Sequence, residues 1–158
     1  LVELAKARKI PVIAANVPRR TATLVAAADA ISPEVLGDDS IFLPSSLHFD
    51  SEEYYDRFTA LVAKMPQSVP MKGLNVEGLY KAQILKDAVM AAALEPFLDR
   101  RILFCCGHFH SDYHLGIPYQ LQRNHPELGV AVVVCAESIL DLPMKDRSRA
   151  ADFIWIDE

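Results

Sequence analysis

Residues Pro11–Ala30 read PVIAANVPRRTATLVAAADA. The first seven, Pro11–Val17, are short and apolar, the pattern of a buried strand. Thr21–Ala30 is alanine-rich and amphipathic, the pattern of a helix. A strand feeding a helix is the unit of an α/β layer. Upstream, Leu1–Ile10 reads as the end of a helix, with Lys6, Arg8 and Lys9 as cations suited to a helix C-terminus. Downstream, Ile31–Asp50 is broken by Pro33, Gly37, Pro44 and the pair Ser45-Ser46, and reads as loop.

The rest of the chain repeats the alternation. Asp50-Ser51-Glu52-Glu53 opens a helix with acids in its first turn, running to about Met65 and closed by Pro66 and Pro70. Met71–Asn75 reads as loop and Val76–Leu98 as the longest helix. Arg101–Cys106 is a second expected strand, Gly129–Ala136 a third and Ala151–Ile156 a fourth. Gly107–Gly116 is a polar loop, and Pro118–Asn124 a short helix with proline in its first turn. The expected fold is α/β: a mainly parallel central sheet flanked by helices, in one domain over 1–158, with a helical insertion at about 31–98.

Composition bounds the function. Hydrophobic residues make up 51% and charged residues 23% of 158, ordinary globular usage that excludes disorder. A net charge of −5 without a basic stripe argues against general nucleic-acid binding. The longest apolar run, Gly129–Ala136, falls far short of the ~20 residues a membrane-spanning helix needs. Cys105, Cys106 and Cys135 sit in apolar runs without C-x-x-C spacing, and are expected as small buried hydrophobes. The chain opens at Leu1 without a signal-like segment, so any address or lipid anchor is expected upstream.

Three constellations carry chemistry. Asn16, Arg19 and Arg20 fall between a strand and a helix, where two arginines oppose the macrodipole. A carboxylate or phosphate there would explain them, as would pairing with acids. On the long helix, Tyr80, Gln83, Asp87 and Met90 share a stripe, which puts polar Gln83 and Asp87 in an apolar surround where they need hydrogen-bond partners. In Gly107–Gly116, His108, His110 and His114 accompany Asp112 and Tyr113. Imidazole is the commonest side-chain metal ligand, and tyrosine is a known axial ligand of haem iron.

Read together, Pro11–Arg20 (PVIAANVPRR), Leu79–Ala91 (LYKAQILKDAVMA), Gly107–Leu121 (GHFHSDYHLGIPYQL) and Ala151–Ile156 (ADFIWI) resemble the ChaN-like haem-binding uptake proteins of the Tiki/TraB superfamily. The resemblance implies haem binding linked to iron uptake, often in a lipid-anchored protein of the bacterial cell envelope and between two subunits of a homodimer. The superfamily's G-x-x-H motif falls on Gly107 and His110. Asn16, Arg19 and Arg20 match its Ala-Asn-x-Pro-Arg segment, and Gln83 and Asp87 its helix block. His108 is not a position the motif transfers. The family's opening strand and Gly-Glu-x-His motif have no counterpart here, and about the first third of the protein is expected to precede Leu1.

Two functions follow. In the first, haem is held noncovalently, without a C-x-x-C-H attachment motif. Its iron ligand comes from Tyr113, His110 or His114, with His108 also among the haem-binding residues, Arg19 and Arg20 meet its propionates, and Tyr80, Met90 and Phe109 wall the pocket. In the second, implied by proteases and esterases of the superfamily, His110 binds a metal or acts as general base in a metal-dependent hydrolase.

Overall fold

A computed structural model describes residues 1–65, 75–137 and 146–156. Its elements in chain order are α1 (Val2–Ala7), α2 (Arg19–Ala28), α3 (Pro33–Leu36), α4 (Glu52–Ala63), α5 (Val76–Ala92), α6 (Ile117–Asn124), β1 (Val133–Ala136), α7 (Arg147–Ala150) and β2 (Phe153–Ile156). Pro66, Pro70 and the loop expected over 71–74 lie outside the described residues.

Local chemistry explains the helix starts. The Ser51 hydroxyl accepts from Tyr54 N–H at 3.2 Å and caps α4, with Glu52 and Glu53 in its first turn. Asn75 Oδ1 accepts from Gly78 N–H at 2.6 Å and caps α5. At the end of α2, Asp29 turns left-handed (φ 52°), and its carboxylate takes the Lys81 ammonium at 2.8 Å.

The molecule is built around α5. Ala82, Ile84, Leu85, Ala88, Met90 and Ala91 bury on different sides of this helix, as an internal helix must. It packs on α2, α6 and α4. Val25, Ala26 and Leu36 join Leu85 in one cluster, Tyr54, Phe58 and Leu115 join Tyr80 and Ile84 in a second, and Ile117 and Leu121 join Met90 in a third. Helix α5 is shorter than its sequence pattern: it stops at Ala92, and Pro96 falls in a separate turn, Glu95–Phe97.

The sheet is smaller than expected. Among the described residues it has two strands, β1 and β2, paired in parallel with Val133 opposite Phe153 and Cys135 opposite Trp155. Pro11–Val17 and Arg101–Cys106, expected as strands, form none. A strand exists only with a pairing partner, and apolar Val12, Ile13 and Leu103 stand exposed where one would lie. All three cysteines are exposed, against the expectation of burial: Cys105 and Cys106 lie in the unpaired run, and Cys135 on the open face of β1. No helix among the described residues is long and apolar enough to cross a membrane.

Candidate functional site

His110 sits at the centre of a buried polar network. Its Nδ1 lies 2.5 Å from Asp87 Oδ1, and the Tyr54 hydroxyl donates to Asp87 Oδ2 at 2.5 Å. Gln83 Nε2 donates to the Tyr54 oxygen at 3.1 Å and lies 3.0 Å from His110 Nδ1. Asp87 is fully buried and Tyr54 nearly so. The contact with Asp87 uses Nδ1 and leaves Nε2 as the ring's second nitrogen. Burial pushes the Asp87 carboxyl above its ordinary value, against the opposing pull of His110 and Tyr54. Burial and the facing Asp87 push the Tyr54 phenol up, so it stays a donor.

The loop holding His110 is strained. Tyr113 and His114 are consecutive non-glycine residues with positive φ (62° and 57°), each costing on the order of 1–3 kcal/mol. Two contacts fix them. The Arg57 guanidinium lies 3.3 Å from the Tyr113 ring centroid. His114 Nε2 meets Asp152 Oδ2 at 3.1 Å, and the same carboxylate accepts from Val132 N–H at 2.7 Å, tying the loop to the start of the sheet. Gly116 (φ 60°) closes the loop where a Cβ would stand 2.5 Å from the His110 carbonyl oxygen.

Beside this loop runs an open cleft of about 540 Å³, walled by α4, the histidine loop and the end of β1. That volume lies within the roughly 300–1,000 Å³ of small-molecule sites. Phe109, Leu115, Leu61 and Val134 give it apolar walls, and Arg57 on α4 and Lys64 at its C-terminal cap add two cations. His108 and Tyr113 bring an imidazole and a phenol to the same space. His108 Nδ1 meets Asp112 Oδ2 at 2.9 Å, and Asp112 Oδ1 is buried with no hydrogen-bond partner among the described residues. Burial pushes the Asp112 carboxyl up, against the pull of His108.

The structure sorts the residues expected from sequence. His108 and Tyr113 line the cleft; His110 and His114 do not, because their rings turn to Asp87 and Asp152. Gln83 and Asp87 stand behind His110. Phe109 is a cleft wall, whereas Tyr80 and Met90 are buried in separate clusters. Asn16, Arg19 and Arg20 are outside the cleft lining. Arg20 is already committed: its Nε and Nη2 donate to Asp39 at 2.9 and 2.5 Å. Hydrogen bonds from Arg20 and then Thr21 hold the Asp39 carboxyl below its ordinary value. Sequence reasoning missed Arg57 and Lys64, although Arg57, Leu61 and Lys64 follow helical spacing on one face. Among the described residues, no group of three or more histidine, cysteine or acidic side chains could hold a bare metal ion.

No curated protein and no solved structure matches the chain. A family model does, over residues 1–121, and its description is haem-binding uptake, Tiki superfamily, ChaN. That match spans the strained histidine loop, α5 with Gln83 and Asp87, and α4 with Arg57 and Lys64, and on it the chain belongs to the ChaN family of haem-binding uptake proteins.

Proposed function

We propose that the protein binds haem noncovalently in the cleft between α4 and the histidine loop, as part of iron uptake at the bacterial cell envelope. One observation carries the reading. A cleft of about 540 Å³ combines apolar walls, an imidazole and a phenol from the histidine loop, and two cations from α4 and its C-terminal cap. Haem needs those three things: a dry surface for the macrocycle, a ligand for iron and partners for its acid groups. Bound haem would supply an iron centre for uptake. The chain's own residues hold it: Phe109, Leu61 and Leu115 exclude water, and Tyr113 and His108 are the candidate ligands. Asp112 orients His108 through Nδ1, which leaves its Nε2 free. The family description supports the ligand class.

Hemin titrated into the protein should give a saturable red shift of the Soret band. Tyr113→Phe or His108→Ala should abolish or move that band, whereas His114→Ala should leave its position unchanged. A titration without any Soret shift refutes the reading.

The Asp87–His110 pair favours a second reading. A buried carboxylate on Nδ1 of a half-buried imidazole is the arrangement of a general base, as the hydrolase alternative requires. Ester or peptide hydrolysis lost in His110→Ala, with stoichiometric zinc or manganese by elemental analysis and no Soret shift, would establish it.

A further inference from the structure

We propose that Arg57 and Lys64 form the acid-recognising end of the cleft and select a ligand bearing two carboxylates. This rests on the haem reading and replaces Arg19 and Arg20 as the expected anion partners. Arg57, Ala60 and Leu61 line the cleft from one stripe of α4, and its C-cap residue Lys64 continues the stripe, at steps of three, four and seven from Arg57. Two cations thus flank an apolar step, matching a flat apolar ligand with acid groups along one edge.

The charge balance favours an added anion. Arg57 donates through Nε and Nη2 to Glu53 Oε1 at 3.1 and 2.9 Å. Arg149 donates to both oxygens of the same carboxylate, at 3.0 and 2.9 Å. One negative charge between two guanidinium groups leaves a positive charge over. Lys64 is exposed and pairs with no carboxylate among the described residues. The cleft's acids lie on other walls: Asp112, tied to His108, in the loop, and Glu137 just beyond β1. Among the charged cleft-lining residues, the cations come from α4 and its C-terminal cap and the acids from the other walls. The stack on Tyr113 leaves the Arg57 side chain 27% exposed and holds its head in place before any ligand arrives.

Metal-free protoporphyrin IX and its dimethyl ester separate acid recognition from iron ligation. Absorbance titrations of the whole chain would compare wild type, Arg57→Gln with Lys64→Gln, the single Lys64→Gln at its exposed position, and Arg57→Lys with Lys64→Arg. Wild type should prefer the diacid by about tenfold or more. The double glutamine variant should lose that preference by weakening the diacid much more than the diester, and the charge-keeping variant should restore it. Lys64→Gln alone should lower the preference part of the way. Equal loss for both porphyrins, or a preference that survives the double substitution, overturns the assignment. If wild type still gives the hemin Soret shift in that case, only this assignment falls. A wild type that binds neither hemin nor porphyrin ends both readings.

Discussion

At His110 the chemistry depends on what stands behind the ring. At Asp87, burial raises the carboxyl above its ordinary value of 3.8, so its charged form costs more in the folded protein than in the unfolded chain. Such a group contributes stability fully below that ordinary value and loses the contribution as pH rises through the raised one. Stability should therefore fall with rising pH across the window above 3.8, and Asp87→Asn should flatten that slope. Denaturant midpoints measured between about pH 4 and pH 7 would show it, and parallel curves for the two proteins would contradict it. The need for partners around Gln83 and Asp87 is legible from their helical spacing in an apolar surround. Their actual partners, Tyr54 and His110, are 33 and 23 residues from Asp87, and no local pattern encodes such pairings. Arg20 shows the converse: two arginines before a helix invite an anion, and the anion is the chain's own Asp39.

Among the elements, the helices follow their sequence signals more closely than the strands do. Ser51 and the acids after it mark α4, and proline marks the start of α6, because caps and first turns are chosen by near neighbours. Strands depend on partners elsewhere, and Pro11–Val17 and Arg101–Cys106 have the composition without the pairing. The α2–α5 contact shows how closely two elements are matched. At Gly78 a Cβ would stand 2.3 Å from the Ala26 carbonyl oxygen. Gly78→Ala gains about 1 kcal/mol of helix propensity, but it must push the two helices apart. Net destabilisation of about 1–3 kcal/mol is expected by chemical denaturation. A variant as stable as wild type would show that the two helices part at little cost.

At the scale of the whole molecule, a helical core around α5 carries a thin sheet with a poorly covered face. Val132, Val134 and Ala151 make a small buried cluster of sheet residues and their flanks, while Val133, Phe153 and Trp155 stand exposed. Arg149, on the short helix before β2, reaches Glu53 on α4, so the far end of the chain braces the wall that carries Arg57. Trp155 is the chain's single tryptophan, 65% exposed, and its register partner Cys135 lines the cleft. Backbones paired across a ladder are about 5 Å apart, which puts the indole close to anything the cleft holds. Indole emission overlaps porphyrin absorption, so hemin should quench the intrinsic fluorescence saturably, in step with the Soret change. Quenching without saturation would mean that the pigment does not settle beside β1. The exposure of one side chain thus gives the protein an optical gauge of its own occupancy, readable without any label.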